Sequence, residues 1–159
     1  MVNHEGRISH APAPEKIVTV LAISDSAEDH NWLNEVFRHS NWKIMTARSC
    51  REAFEVLQSS RVPVVLCDCT LPDGGWKSLL NRFSQWPEEP LLVVMSRQAD
   101  DRLWAEVLNL GGYDVLSKPF DRSEVIRVIS AAWLQWRQRG KALAPQREVQ
   151  VLAQSAIAS

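Results

Sequence analysis

The chain has 159 residues, of which 45% are hydrophobic and 23% charged, and this length favours one compact domain with few residues to spare. Its 18 basic and 19 acidic residues give a formal net charge of -1, without the basic excess of a nucleic-acid-binding domain, so we expect no nucleic-acid partner. The apolar runs are far shorter than the roughly 18 residues that a membrane-spanning helix needs, and the N-terminus lacks an apolar signal sequence. We therefore expect a cytoplasmic chain that does not act at a membrane.

The two ends of the chain differ in composition from its middle. Residues 1–15 mix histidine, proline, alanine and charged residues without periodicity, and residues 140–159 open with Gly140 and contain Pro145. We predict flexible tails over 1–15 and 140–159 and one ordered domain over 16–139. The three cysteines lack the paired spacing of a structural zinc site, and their odd number fits a reducing compartment.

Short apolar runs alternate with longer amphipathic stretches throughout the predicted domain. The runs that predict strands are Ile17–Ser24, Trp42–Ala47, Pro63–Asp68, Leu91–Ser96 and Tyr113–Ser117. Apolar residues at helical spacing follow each run and predict five helices, with Ser49 and Asp121 as N-caps of the second and the fifth. Strict alternation with right-handed crossovers predicts an α/β fold with a five-stranded, doubly wound parallel sheet in the order 2-1-3-4-5.

Polar side chains stand where the predicted strands end. Asp25 follows the first strand, Asp68 ends the third, Ser96 ends the fourth, and Lys118 follows the fifth. Taken singly, an aspartate at a strand end is often a turn former or a helix N-cap, and a lysine before a proline is usually solvated. Ligands of open parallel sheets bind outside the carboxyl ends of the strands, so we expect these four side chains to meet at one rim and form a site.

Asp68 is the most informative of these residues, because it ends the most apolar strand of the chain. A carboxylate there is costly unless a cation compensates its charge. A carboxylate nucleophile, an ammonium that pairs with phosphate, and a hydroxyl donor together fit phosphoryl transfer to Asp68. Mg²⁺ prefers oxygen ligands, and Asp25, Asp68 and the backbone carbonyl of Thr70 are the candidates.

At these residues the sequence resembles the receiver domain of bacterial two-component response regulators, a flavodoxin-like (βα)5 fold. The motifs are LAISDS, VVLCDCTLPDGGW, VVMS and GGYDVLSKPF, and the resemblance covers roughly the whole predicted domain. It implies that Asp68 accepts a phosphoryl group from a histidine kinase or phosphotransfer protein in the presence of Mg²⁺, with Ser96 and Lys118 assisting. It also implies a phosphoacceptor rather than an enzyme, and a downstream protein bound through the fourth helix, fifth strand and fifth helix.

The sequence departs from the receiver pattern at the proposed metal site. Receivers usually present two adjacent acids after the first strand, whereas this chain has Ser24 followed by Asp25. Glu28 and Asp29, one helical turn further on, are possible substitutes for the missing acid. The resemblance therefore leaves the affinity for Mg²⁺ open.

Two further departures concern the response to phosphorylation. Arg97 follows Ser96, where receivers prefer a small residue, and its guanidinium would either shield the phosphate or bind it. The switch position three residues before Lys118, usually aromatic, is Val115, so an aromatic rotamer switch cannot operate there. Tyr113 lies two residues earlier and is expected on the same face of the strand.

Two other interpretations remain beside a phosphoaccepting receiver. A degenerate receiver would keep the fold and a binding surface without being phosphorylated, as the missing acid and Val115 suggest. A phosphatase with an aspartate nucleophile would need an acid two residues after Asp68, where Thr70 cannot act as a general acid.

Seven tryptophans, about three times the ordinary usage, are an unusual feature of the composition. Two of them, Trp133 and Trp136, continue an apolar stripe that begins at Val125 on the fifth predicted helix, and core packing is its simplest explanation. Trp136, however, lies beyond the expected edge of the sheet. It is therefore a candidate contact for a partner or for a homodimer.

Overall fold

The computed structural model describes the backbone of residues 18–158 and the side chains of residues 18–140. Five strands alternate with five helices along the chain. In chain order they are β1 (Val18–Ile23), α1 (Ala27–Phe37), β2 (Trp42–Ala47), α2 (Cys50–Ser59), β3 (Val64–Asp68), α3 (Trp76–Phe83), β4 (Leu91–Ser96), α4 (Asp101–Asn109), β5 (Asp114–Ser117) and α5 (Arg122–Ala158).

The strands form one parallel sheet in the order β2-β1-β3-β4-β5. This confirms the predicted α/β fold and its strand order. The order in which the chain adds strands reverses between β1 and β3. The connections that leave these two parallel strands therefore turn to opposite sides, which leaves a crevice at the carboxyl edge of the sheet. Any side chain at the ends of β1 and β3 therefore borders this crevice.

Two hydrophobic clusters, one on each face of the sheet, form the core. The first joins alternate strand residues such as Val65 and Val94 to Leu79 and Phe83 of α3, and the second joins others such as Leu66 to the helices α1 and α5. Every residue of β3 and β4 is buried. Helices on both faces thus explain why these strands are continuous apolar runs in the sequence.

Side-chain caps fix where several helices begin. The Ser49 hydroxyl accepts a hydrogen bond from the backbone N–H of Glu52 (3.1 Å), and the Asp121 carboxylate accepts one from Glu124 (2.9 Å). Both caps confirm the prediction, because a side-chain oxygen at the N-cap pairs with an N–H group that the helix leaves free.

The last helix is longer than predicted. It continues to Ala158, through residues that we expected to form a tail, in a segment rich in alanine, leucine and glutamine, which favour helix. The predicted tail over 1–15 lies outside the described residues, and the domain boundaries at 16 and 139 stay predictions. Among the described residues, no helix has the length and apolar composition needed to cross a bilayer.

Candidate functional site at the carboxyl edge of the sheet

Asp68 lies at the carboxyl end of β3, the central strand of the sheet. Only 7% of the residue is exposed. The register pairs Asp68 with Met95 of β4 and the preceding Cys67 with Ile23 of β1, so the ends of both neighbouring strands flank the carboxylate. Asp68 therefore stands in the middle of the edge where open parallel sheets bind their ligands.

The hydroxyl of Ser24, directly after β1, contacts two carboxylates at this edge. Ser24 is fully buried, and its Oγ lies 2.6 Å from Asp68 Oδ2 and 3.2 Å from Asp29 Oδ2. A hydroxyl carries a single proton, so the shorter contact identifies Asp68 as the acceptor of the hydrogen bond. Ser24 thus fixes one oxygen of the Asp68 carboxylate.

Lys118, directly after β5, joins the same two carboxylates. Its backbone N–H donates to the carbonyl of Ser96 (2.9 Å), which anchors the residue beside β4. Its ammonium donates hydrogen bonds to Asp68 Oδ1 and to Asp29 Oδ2. The Lys118 side chain is only 9% exposed, so this is a buried charge cluster with two acids and one base.

The two acids keep Lys118 charged. Burial by itself would lower the pKa of the ammonium, because a low-dielectric environment disfavours the charged form. The hydrogen bonds and charges of Asp29 and Asp68 outweigh this effect and raise the pKa above its ordinary value. Lys118 is therefore a permanent cation of the site at physiological pH.

A cleft of about 330 Å³ opens beside Asp68. Thr70, Ser96, Arg97 and Lys118 line it together with Asp68. The Ser96 hydroxyl accepts a hydrogen bond from the backbone N–H of Gln98 (3.0 Å), and the Arg97 side chain is exposed. The structure thus brings together Asp68, Ser96 and Lys118, as predicted from their positions at strand ends, and places Thr70 beside them.

The loop that follows Asp68 is held by its own backbone and by α2. Leu71 and Gly74 exchange two backbone hydrogen bonds of 3.1 and 3.4 Å. Gly74 has a φ of +144°, which residues other than glycine rarely adopt. Asp73 accepts hydrogen bonds from the backbone N–H groups of Cys50 (2.9 Å) and Arg51 (3.0 Å). These bonds lower the pKa of Asp73 and tie the loop to the start of α2.

The structure does not bring Asp25 into this site. Its side chain is exposed, whereas the Ser24 side chain is fully buried; β1 ends at Ile23 and the chain bends at Asp25. Asp29, in the first turn of α1, contacts the site instead. Of the two substitutes that the sequence offered, Glu28 is exposed and Asp29 is buried.

The oxygen donors at this edge fit one hard cation. Asp29 and Asp68 carry two negative charges, and Lys118 is the one charged side chain that contacts them among the described hydrogen bonds. The described residues contain no group of three or more His, Cys, Asp or Glu side chains placed to share a metal. Mg²⁺ does not require one, since one or two carboxylates and several waters satisfy it.

The predicted switch residues lie on different faces of the sheet. Val115 is buried in the cluster that contains Trp76, whereas Tyr113 packs against the opposite cluster with Leu116. The expectation that Tyr113 shares a face with Val115 therefore does not hold. The reason is that β5 begins at Asp114, so the regular alternation of the strand does not extend to Tyr113.

The exposed tryptophan is not the one that the sequence suggested. Trp136 packs partly against the core, and the guanidinium carbon of Arg61 lies 4.9 Å from the centroid of its ring. Trp104 of α4 is 49% exposed instead, with Leu108 one turn further on. Helical periodicity predicts the helix, but it does not say how far its apolar stripe extends around the helix, so the exposure of these two residues was not predicted.

His30 also contacts the site, and its position was not predicted from the sequence. This residue of α1 is 9% exposed, and its Nε2 lies 2.7 Å from the backbone carbonyl of Ser24, which can only accept. Nε2 therefore carries a proton and holds Ser24 in place. Only its position next to Asp29 could have drawn attention to His30.

The family model described as response regulator receiver domain matches residues 20–130. The probable transcriptional regulatory protein TcrX of Mycobacterium tuberculosis is 32% identical over 111 residues, which are 69% of this chain and 47% of that protein. The two-component response regulator ORR3 of Oryza sativa subsp. indica is 30% identical over 125 residues, which are 76% of this chain and 95% of that protein. The chain thus spans about half of one relative and nearly all of the other.

A solved structure supports the same fold. The signal receiver domain of an HD domain-containing protein from Pseudomonas fluorescens Pf-5 superimposes with a TM-score of 0.73 at 22% identity, over 83% of this chain and 98% of that domain. The match of the family model to most of the described domain, together with the relatives, determines the family. This chain belongs to the response regulator receiver domains of two-component systems.

Proposed function

We propose that the chain accepts a phosphoryl group on Asp68 from a phosphohistidine of a histidine kinase or a phosphotransfer protein. The observation that carries this proposal is the Asp68 carboxylate itself, which is buried at the crevice, held at both oxygens and bordered by an open cleft. Members of the family act as phosphoacceptors rather than as classical enzymes. The family and the three free cysteines are in keeping with a cytoplasmic partner.

In this reaction an oxygen of the Asp68 carboxylate attacks phosphorus. The bond between phosphorus and the imidazole nitrogen breaks, its electron pair returns to that nitrogen, and the nitrogen takes up a proton from water. Lys118 stabilises the charge on the transferred group, since its ammonium already contacts Asp68 Oδ1. Ser24 orients the carboxylate through Oδ2, so the nucleophile loses little freedom on reaction.

Receiver domains generally bind Mg²⁺ at their phosphorylation site. In this chain Asp68 and the backbone carbonyl of Thr70 are two of the oxygen donors that would hold it. A bound Mg²⁺ would neutralise part of the phosphoryl charge. Asp25, which we expected to be the third donor, has an exposed side chain.

The output of the domain is a second part of the proposal. We assign the contact with a downstream protein, or with a second copy of the chain, to the surface formed by α4, β5 and α5. Trp104 (49% exposed) and Leu108 (37%) on α4 and Ile126 (37%) on α5 are among the exposed large apolar residues of these elements. Because Val115 offers no aromatic ring to reorient, the signal would pass from Asp68 through Ser96 and Lys118 to β5 without a rotamer switch.

Incubation with acetyl phosphate and MgCl2, followed by intact mass measurement, tests the phosphoacceptor role. The wild-type chain is expected to gain the mass of one phosphoryl group, and Asp68→Ala is expected to gain none. Asp101→Ala, which removes an exposed aspartate of α4, is the matched control and keeps the gain. No gain in the wild-type chain would favour a degenerate receiver, and steady release of phosphate from an ester would favour a phosphatase.

A further inference from the structure

We infer that Asp29 is the second carboxylate ligand of the Mg²⁺ site, in place of an acid directly after β1. This inference rests on the proposed function, which puts Mg²⁺ beside Asp68. Asp29 belongs to α1, yet its Oδ2 accepts a hydrogen bond from the Lys118 ammonium and lies 3.2 Å from the Ser24 hydroxyl oxygen, and both of these groups also contact Asp68. No other carboxylate among the described residues makes these contacts.

The local hydrogen bonds show that the Asp29 side chain does not cap its own helix. Ser26 is the N-cap of α1 and accepts a hydrogen bond from the backbone N–H of Asp29 (3.3 Å). In a capping box, the acid at this position returns the bond to the backbone N–H of the cap residue. Here that N–H of Ser26 donates to Ser24 Oγ (3.1 Å), so the Asp29 carboxylate is released from capping and turns into the site.

The balance of charge points to a cation. Asp29 and Asp68 are 8% and 7% exposed, and Lys118 supplies one positive charge against their two negative charges. A buried negative charge without compensation is costly, and a divalent cation with oxygen ligands removes this cost. The N-terminus of α1 compensates part of this negative charge, since a helix N-terminus favours an anion, but it supplies less than a full positive charge.

Ser24 explains why no carboxylate lies in the buried position directly after β1. Its side chain occupies the inward position after β1, is fully buried, and donates to Asp68 Oδ2 instead of carrying a charge. Asp25 is the next residue and is exposed, so it does not replace Ser24 at the site. Asp29 is the first residue after β1 whose carboxylate is buried and contacts both Ser24 and Lys118.

Calorimetric titration of the full chain with MgCl2, without a phosphodonor, tests the inference. Asp29→Asn is expected to weaken Mg²⁺ binding by about tenfold or more, as Asp68→Asn does, because each removes a ligand charge. Asp25→Asn is the matched control and is expected to bind Mg²⁺ within about twofold of wild type, since exposed charges act weakly. Far-UV circular dichroism shows whether each variant is folded.

A measurement on the wild-type chain removes the dependence on variants. In carboxylate-detected ¹³C NMR, MgCl2 is expected to shift the side-chain carboxyl signals of Asp29 and Asp68 and to leave that of Asp25 in place. The inference is overturned if Asp25 shifts and Asp29 does not, or if the wild-type chain binds no Mg²⁺ at tens of millimolar. If Asp68 is phosphorylated while Asp29 is indifferent to Mg²⁺, only this inference fails, and the phosphoacceptor role stands. If MgCl2 shifts Asp29 while Asp68 gains no phosphoryl group, the proposed function fails and the metal site remains.

Discussion

The carboxyl edge of the sheet and the outer surface of α4 are built in opposite ways. At the edge, Ser24, Asp29, Asp68 and Lys118 are polar or charged, buried, and bonded to one another. On α4, Trp104 and Leu108 are apolar and exposed. Buried polar groups are retained only with partners, and exposed apolar groups gain by being covered. The first region is therefore suited to chemistry, and the second to contact with another protein.

Removal of Lys118 is expected to break the first region most severely. Lys118→Met leaves two buried carboxylates without their ammonium, and the free energy of unfolding in urea is expected to fall by about 3 kcal/mol at pH 7. The variant should stay folded without denaturant and lose any spectroscopic response to beryllofluoride. Lys77→Met is the matched control: Lys77 pairs with Glu106 at 2.7 Å on the surface, and its loss should cost less than about 1 kcal/mol. Equal losses in the two variants would contradict the buried cluster.

The pH dependence of the destabilisation caused by Lys118→Met is a second test of the buried cluster. The pKa of Lys118 is raised in the folded chain, so its contribution to stability is complete below the ordinary lysine pKa and is lost as the pH rises through the folded-state value. The difference in unfolding free energy between wild type and Lys118→Met is expected to stay flat between about pH 7 and 9 and to decline only above about pH 10. Urea unfolding at several pH values measures it. A decline already below pH 9 would show that the carboxylates do not hold the ammonium.

The hydroxyl of Ser24 is expected to give a smaller effect. Ser24→Ala removes the donor to Asp68 Oδ2 at a fully buried position, which should cost about 1 to 3 kcal/mol in urea unfolding. Ser84→Ala removes a hydroxyl that donates to the carbonyl of Asn81 (2.8 Å) in an exposed turn, and should cost less than about 0.5 kcal/mol. An unchanged unfolding free energy in Ser24→Ala would mean that the Ser24 hydroxyl does not hold Asp68 through Oδ2.

Trp104 is expected to give the smallest effect on stability. Trp104→Ala should change the unfolding free energy by about 1 kcal/mol or less, because half of the residue is exposed and its hydrogen bond to Asp114 is long at 3.4 Å. Trp136→Ala, the matched control, should cost about 2 kcal/mol, since its ring packs on the core and beneath Arg61. The reverse order would return the candidate contact residue to Trp136, as the sequence first suggested.

The sequence was sufficient for the fold because burial on both faces of β3 and β4 and alternation along the chain are local patterns. The sequence was also sufficient to place Asp68, Ser96 and Lys118 at one edge of the sheet, since the carboxyl ends of parallel strands meet there. It did not distinguish Asp25 from Asp29. That choice depends on where α1 begins, on the N–H of Ser26 and on the inward turn of Ser24, and none of these leaves a signal in residue spacing.

Trp136 and Tyr113 illustrate a second limit of the sequence. The exposure of Trp136 depends on Arg61, which is distant in sequence and stacks on its ring. The face of Tyr113 depends on a strand boundary that shifted by one residue. Boundaries and long-range coverage are tertiary properties, so periodicity alone cannot supply them.

Chemical trapping of the phosphorylated residue tests the phosphoacceptor role of Asp68 most directly. The chain is incubated with acetyl phosphate and MgCl2, reduced with borohydride, which converts an aspartyl phosphate to homoserine, and digested for peptide mass spectrometry. We expect homoserine at position 68 and an unmodified aspartate at positions 25 and 29. Homoserine at either of those positions, or at none of the three, would contradict this role.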